Sequence, residues 1–465
     1  MTIKNPTTSP TILVILGATG DLFLKKIAPS LVALSQRGAL PSLFQIIAFA
    51  RRPFTDDEYR RLVASAIAKN RKLKVKVRAI KDLLNKVYYH QGNFTDPSSY
   101  TNLGQRLGMI DGEWKTCANK LFYVATPPDL YKTIIENLDS SGIAESCSPQ
   151  EGWTRLIIEK PFGSDESTAV ELDAILGKRF LEQQIYRIDH YLGKELLQNI
   201  LALRFSNILF SDSWNNKSIE RIDVRLLEKG DVDTRGNFYD NVGALRDVGQ
   251  NHLLQMLALV TMDHPQSFTA DNVRGKRLEI LKAIATPTSD AIKQFERKQY
   301  DGYRSVEGVK PDSQTETYFK IQLAIPHERW HGVPLVLEAG KRMTKNCKEI
   351  EITFKENKPC MCLGDGTFTN KVIFNIEPDE KITIRFWSFK PGLNFELEQR
   401  SFEFKLHDGK RRKHTHVSEY ERLLNDCLNG DQTLFVSTEE IKEMWRIIDP
   451  IIKYWTSSSS KIDTY

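Results

Sequence analysis

A carboxylate, an imidazole, a phenol and an ammonium fall inside one short segment, RIDHYLGKE at 187–195, as Asp189, His190, Tyr191 and Lys194. The last three can donate hydrogen bonds to a phosphate. If the segment opens a helix, His190 and Lys194 stand one turn apart on one face with Tyr191 beside Lys194, and Asp189 points about 100° away. The positive end of that helix would add to the attraction. A solvated, charged helix start accounts for any two of these groups more easily than for all four. A second segment, RDVGQNHLLQML at 246–257, reads as a strongly apolar helix carrying one histidine, His252. It is either a hydrogen-bonded core residue or a base. As a base, its neutral imidazole accepts a hydroxyl proton while a carboxylate orients the ring and stabilises the imidazolium.

Two further motifs suit a dinucleotide. GATGDLF at 17–23 follows an apolar strand and opens a helix, where a glycine turn lets backbone N–H groups approach a pyrophosphate. Phe23 stands where a third glycine would complete the pattern, so an ordinary strand-to-helix turn stays open. The next strand ends in FARR at 49–52, and no carboxylate follows until Asp56. An NAD site places an acid there for the ribose hydroxyl, whereas a 2′-phosphate calls for arginine, so Arg51 points to NADP. EKPFG at 159–163 closes another strand. Its Lys160 either reaches substrate and nicotinamide or is a plain loop lysine.

The elements that must position these groups are legible in the apolar pattern. Residues 11–16, 27–36 and 44–50 read as strand, helix and strand, a βαβ unit. Runs at 120–125 and 154–159 look like further buried parallel strands with a helix at 129–138 between them. From 219 the pattern shifts to longer strands at 219–228, 316–324, 350–354, 371–376, 381–387 and 400–404, with helices at 243–261, 271–283 and 419–428. The expected architecture is an α/β Rossmann-like dinucleotide-binding domain at 1–190, then an α+β domain at 191–465 with a large, mainly antiparallel sheet.

Composition narrows the function classes. With 465 residues, 40% hydrophobic and 27% charged, the chain matches soluble folded domains. It holds no apolar run approaching the roughly 18 residues of a membrane helix. Residues 1–10 lack the apolar stretch of a secretory signal, so a cytoplasmic setting is expected. A formal charge of +5 is small for a nucleic-acid binder and compatible with anionic small molecules. The basic run at 410–416 follows Asp408 and Gly409 and reads as a hairpin turn. The six cysteines (117, 147, 347, 360, 362 and 427) are scattered. They read as reduced thiols, and no metal site is expected.

The motifs GATGDLFLKK, FARR, LFYVATPPDLY, EKPFG, RIDHYLGKE, YDNVGALRDVGQNHLLQM, ERWHGVPLVLEAGK, FKPG and EMWRIIDP succeed one another over nearly the whole chain. In this register the sequence resembles the glucose-6-phosphate dehydrogenase family, RIDHYLGKE being its most specific signature. The resemblance implies hydride transfer from carbon 1 of glucose 6-phosphate to NADP, giving 6-phosphoglucono-1,5-lactone, the first step of the oxidative pentose phosphate pathway. It makes His252 the base and Asp189 its carboxylate partner. His190, Tyr191 and Lys194 would hold the phosphate. Lys160, Glu228, Asp247, Lys341 and Lys345 would contact the sugar or its phosphate. Gly17, Ala18, Thr19, Gly20, Asp21, Leu22, Arg51, Tyr131 and Lys160 would line the NADP site. A homo-oligomer, dimer or tetramer, is also implied.

Some positions depart from the family pattern. Leu24 stands where a lysine is common, and Lys345 where many members have arginine. Strand residues 375–387 lack much of the basic and aromatic set of a second, structural NADP, which is not expected here. A related sugar dehydrogenase with an EKP motif is the nearest alternative, and RIDHYLGKE argues against it. A non-catalytic regulator would have lost the base and clamp, yet Asp189, His190, Lys194 and His252 are all in place.

Overall fold

The computed structural model describes residues 9–70, 73–148, 151–356, 368–393, 396–407, 416–457 and 461–465. Two compact units divide the chain. The first runs to Gly163 and adds Ser167–Gly193 and Val417–Thr438; the second holds Ser164–Glu166, Lys194–His416 and Glu439–Tyr465.

The first unit is built on six parallel strands, β1 (Thr11–Leu16), β2 (Phe44–Ala50), β3 (Val87–Gln91), β4 (Asn119–Val124), β5 (Thr154–Glu159) and β6 (Ile185–Ile188). Their spatial order is β3-β2-β1-β4-β5-β6. Every residue of β1 and β4 is buried, as expected of strands covered on both faces. The strand order reverses between β1 and β4, and beyond the carboxyl ends of such a pair lies the ligand crevice of this architecture. The Rossmann-like expectation for this part of the chain holds.

A late segment completes the unit. The helix Glu419–Asn429 starts at a capping box between Ser418 and Glu421 and ends at Gly430, φ 75°. Arg155 of β5 caps its far end, donating to the carbonyls of Cys427 (2.6 Å) and Leu428 (3.0 Å). The sequence pattern groups this helix with the later elements, but the cap ties it to the first sheet. Cysteine usage also differs from expectation. Cys117 and Cys147 form a disulfide with Cα atoms 6.4 Å apart, while Cys347 and Cys427 are free thiols. Cys360 and Cys362 lie outside the described residues, as does the basic run at 410–416 apart from His416.

The second unit carries a nine-stranded sheet of β7 (Ile219–Leu227), β8 (Glu296–Gln299), β9 (Tyr318–Leu323), β10 (Leu335–Gly340), β11 (Cys347–Phe354), β12 (Lys371–Glu377), β13 (Lys381–Phe389), β14 (Leu397–Lys405) and β15 (Asp463–Thr464). They run β14-β13-β12-β11-β7-β10-β9-β8-β15. All neighbours are antiparallel except β10 on β7 and β15 on β8, so the expected large, mainly antiparallel sheet is present. Alternation along β7 explains its two faces. Ile222, Val224 and Leu226 are buried. Arg221 and Arg225 sit on the opposite face in ion pairs with Asp223, and Arg225 also pairs with Glu349. Among the described residues no helix is long and apolar enough to cross a membrane.

The helix expected at 243–261 is wound in two ways. Leu245–Leu253 is a π-helix, followed by α-helix from Leu254 to Thr261. Its start is fixed by the buried carboxylate of Glu316, which accepts from the Leu245 N–H at 2.9 Å. Gly243 takes φ 77° there, and a Cβ at that position would meet the same carboxylate at 2.5 Å.

Candidate active site

In the first unit, the glycine turn lies at the carboxyl end of β1. Gly17 has φ +100°, and a Cβ there would stand 2.5 Å from the Ala125 carbonyl just past β4. Only glycine allows this approach at the strand-order reversal. The Gly17 and Ala18 N–H groups donate to Phe49 (3.0 and 3.3 Å), and Gly20 N–H donates back to Gly17 at 2.9 Å. Ala18 is buried, Thr19, Gly20 and Leu22 are partly so, and Asp21 is exposed in an ion pair with Lys25 at 2.9 Å. Phe23, in the position of the absent third glycine, is buried and stacks on Tyr59 with centroids 6.4 Å apart.

Arg51 is exposed at the end of β2, its guanidinium 5.9 Å from the centre of the Phe94 ring. Tyr89 fastens the backbone beneath it by donating to the carbonyls of Ala50 and Arg52. Asp56, the first acid after the strand, already accepts from the Tyr89 N–H at 2.6 Å. Its carboxylate therefore serves the fold at the place where an NAD site would use an acid on the ribose.

Lys160 follows β5, half-buried. Beside it lies Glu159, which motif reasoning passed over. Burial pushes the Glu159 carboxyl up to about 7, although hydrogen bonds from Tyr123 and Tyr420 and the Lys160 charge oppose this. The Tyr123 hydroxyl donates to it at 2.6 Å. Tyr131 is buried and donates to the Glu159 carbonyl at 2.9 Å, so in this structure its hydroxyl steadies the strand end.

Residues 189–193 form a turn, and this corrects the helical placement expected for His190 and Lys194. β6 ends at Ile188, and the next helix starts only at Glu195 with Lys194 extended in front of it (φ −69°, ψ 135°). Leu192 N–H donates to the Asp189 carbonyl (3.1 Å) and Gly193 N–H to that of His190 (3.2 Å). The Asp189 carboxylate accepts from Tyr191 N–H at 3.0 Å, a local bond by which aspartate favours turns over helix. Gly193 is tight against Glu419, whose carbonyl a Cβ would meet at 3.0 Å. Asp189 is buried, Tyr191 is 7% exposed, and the His190 ring stacks near Tyr420 at 6.2 Å. Arg187 is buried and paired with Asp173 (3.2 Å) and Glu182 (2.7 Å), so it anchors the strand that carries the turn.

In the second unit, Lys194, Glu228 and Lys341 belong to one chain of charges. Lys194 Nζ is 2.5 Å from Glu377; Lys348 bridges Glu377 (2.8 Å) and Glu228 (2.9 Å); Glu228 also pairs with Lys341. Burial alone would raise the Glu377 carboxyl, but Lys194 and Lys348 hold it down to about 2. Glu228 is likewise lowered, Lys341 and Lys348 outweighing its burial. Three ammonium groups against two carboxylates leave one positive charge over. Glu377 and Lys348 were missed because nothing local distinguishes them: each sits on an ordinary strand far along the chain from Lys194. Lys345 stands apart, exposed at the edge of a depression of ≈ 410 Å³ on the charged sheet face with Arg225, Cys347 and Glu349.

His252 is 1% exposed on the π-helix, which also carries Asp247. Residues five apart diverge by about 140° on an α-helix, whereas π winding closes i→i+5 bonds and brings them toward one side. The π turn therefore sets Asp247 and His252 along one strip of the helix. Gly249 belongs to the same turn, where a Cβ would meet Phe319 of β9 at 2.9 Å. The arrangement offers a buried imidazole, a neighbouring carboxylate and a cationic network in one unit, and a glycine turn, an arginine and a lysine in the other.

The chain matches two family models, "Glucose-6-phosphate dehydrogenase, NAD binding domain" over residues 14–199 and "Glucose-6-phosphate dehydrogenase, C-terminal domain" over 201–465. It is 37% identical to the glucose-6-phosphate 1-dehydrogenase of Chlamydia muridarum, covering 97% of this chain and 91% of that protein. Against the Bacillus subtilis enzyme of the same name the identity is 33%, with 98% and 93% covered. A solved glucose-6-phosphate dehydrogenase in complex with its substrate glucose-6-phosphate superposes with TM-score 0.88 at 32% identity, covering 100% of this chain and 95% of that one. A levoglucosan dehydrogenase, at 12% identity and TM-score 0.52, shares the fold alone.

Proposed function

As the chain belongs to the glucose-6-phosphate dehydrogenase family, we propose that it oxidises glucose 6-phosphate at carbon 1 to 6-phosphoglucono-1,5-lactone, with NADP as acceptor. The match of both family models along one chain carries this reading. A nicotinamide dinucleotide supplies the hydride acceptor. The preference for NADP rests on Arg51 at the end of β2 and on Asp56 being engaged by Tyr89. Gly17 to Leu22 would cradle the pyrophosphate, with Tyr131 behind the strand end and Lys160 near the nicotinamide.

In the reaction the carbon-1 hydroxyl would give its proton to the His252 imidazole as the carbon-1 hydrogen leaves with its bonding pair, as hydride, and C–O becomes C=O. A carbon–hydrogen bond yields hydride readily only as the oxygen loses its proton, so a placed base contributes on the order of 10²- to 10⁴-fold. On the family likeness, Asp189 stabilises the imidazolium. His190, Tyr191 and Lys194 take the phosphate, and Lys160, Glu228, Asp247, Lys341 and Lys345 the sugar or its phosphate. Phosphate binding is remote from carbon 1, and its energy goes into orienting the sugar. A homo-oligomer, dimer or tetramer, and a cytoplasmic setting complete the proposal.

The test is the near-ultraviolet absorbance of the reduced cofactor when purified protein meets NADP and glucose 6-phosphate, repeated with NAD and with glucose. A rise with the phosphorylated sugar and NADP is expected. Its absence would overturn the reaction, and an equal or faster rise with NAD would overturn the cofactor preference.

A further inference from the structure

Two histidines and two glutamates from separate parts of the second unit converge beside the helix Glu195–Phe205. Glu195 is the first residue of that helix. Glu380 lies between β12 and β13, His407 follows β14, and His416 comes nine residues later. His407 Nε2 is 2.9 Å from Glu195 Oε2, 3.2 Å from Glu380 Oε2 and 3.4 Å from His416 Nδ1. His416 Nδ1 is 4.0 Å from Glu195 Oε2. The His407, Glu380 and Glu195 side chains are 9%, 16% and 17% exposed, and His416 closes the cluster from the solvent side at 56%.

We propose that Glu195, His407 and His416 form a binding site for a divalent transition-metal ion of the zinc type, held by two imidazole nitrogens and a carboxylate oxygen that lie within 4.8 Å of one another, with the Glu380 carboxylate beside His407 as a further donor within reach. Zinc takes nitrogen at about 2.0–2.1 Å and carboxylate oxygen at about 2.0–2.2 Å, so donors at the corners of its tetrahedron stand about 3.4 Å apart. The separations within the trio, 2.9, 3.4 and 4.0 Å, bracket that value, so small side-chain rotations suffice to admit the ion. Imidazole donors select zinc, cobalt, nickel or copper over magnesium and calcium, which take oxygen sets. The electrostatics point the same way. Glu195 and Glu380 each place a carboxylate oxygen on His407 Nε2, at 2.9 and 3.2 Å. Two carboxylates close together in a half-dry place call for a cation. Lys194 is a neighbouring ammonium that opposes a metal, and Glu377 engages it at 2.5 Å.

The expectation of no metal came from cysteine spacing, and these donors contain no cysteine and share no short motif. The site also adjoins chemistry already described, because Glu195 follows Lys194 directly. An ion there would pin the first residue of the helix, and with it the backbone of Lys194, to the ends of β12 and β14. The binding claim itself does not depend on the proposed reaction.

Untagged, chelator-treated full-length protein is titrated with Zn²⁺ by calorimetry and with Co²⁺ by visible absorption. One ion per chain is expected, with the intense ligand-field bands of four-coordinate cobalt. His416→Gln removes the most exposed donor and should weaken binding at least about tenfold, the loss that removing even an outer-shell partner produces. His407→Gln with His416→Gln should abolish it. Zn²⁺ should raise the thermal midpoint of the parent protein, that of H416Q less, and that of the double variant not at all; the metal-free midpoint of H416Q should equal the parent's. His327→Gln, an exposed histidine outside the cluster, should bind like the parent. Failure of the parent to bind either ion, or undiminished affinity in H416Q and in the double variant, would overturn the site.

Discussion

Lys348→Met isolates the electrostatic part of the proposed phosphate recognition, because Lys348 is the middle cation of the chain Lys194, Glu377, Lys348, Glu228 and Lys341. Methionine keeps the apolar stem and removes the charge, so the sum over these groups falls from one positive charge to none. Lys348 is one carboxylate away from Lys194, bonded to Glu377 at 2.8 Å where Lys194 is bonded at 2.5 Å. A unit charge roughly 7 Å from a phosphate dianion is worth about 1 kcal/mol at the dielectric of water. Glu377 is 39% exposed, so salt and solvent reduce this further. The KM for glucose 6-phosphate should rise about threefold to fivefold at low ionic strength, with kcat nearly unchanged and the difference shrinking as salt is added. Glu377→Gln makes the opposite change and should lower that KM. Initial-rate kinetics across an ionic-strength series decide the matter. An unchanged KM for Lys348→Met at low salt, or a KM raised equally by both variants, would refute the charge argument and leave only a packing role.

Three other outcomes follow from the geometry. His252→Asn should lower kcat by two or more orders of magnitude with little change in substrate binding, measured by steady-state rates and calorimetry; a mild effect would make His252 a core residue. Arg51→Ala should raise the KM for NADP about tenfold to a hundredfold, the worth of a hydrogen bond to a charged group, while the KM for NAD barely moves; equal changes would remove Arg51 from the 2′-phosphate. Glu159 should give the fold a pH dependence. Its folded carboxyl titrates at about 7 against an ordinary 4.5, so between those values the folded state keeps a proton that the unfolded chain releases. The stability from this group is full below about 4.5 and is lost as pH rises through 7, at most about 3 kcal/mol in all. Urea unfolding of Glu159→Gln should show a flatter stability profile across that window, and an unaltered slope would count against the buried carboxyl as its source.

The sequence alone determined what depends on local pattern. Continuous apolar runs such as 11–16 and 44–50 have one stable use, as buried parallel strands, and the alternation of β7 has one, with Ile222, Val224 and Leu226 on the covered face. The family was legible for the same reason, since RIDHYLGKE and its companion motifs are contiguous. Tertiary structure decided whatever depends on partners distant in the chain. A helix opening in 187–195 was one reading of the segment, but the Asp189 carboxylate on Tyr191 N–H and the fit of Gly193 against Glu419 make 189–193 a turn. Periodicity made 243–261 one regular helix, but Glu316 at its start and Phe319 against Gly249 bound a π-wound segment that aligns Asp247 with His252. The scattered cysteines gave no hint that Cys117 meets Cys147, nor did any spacing suggest that Lys194 meets Glu377. Charge and hydrogen-bond partners act through space over a few ångströms, and a linear pattern records only neighbours along the chain. The chemical groups were therefore readable early, while their pairing, winding and ionisation waited for the fold.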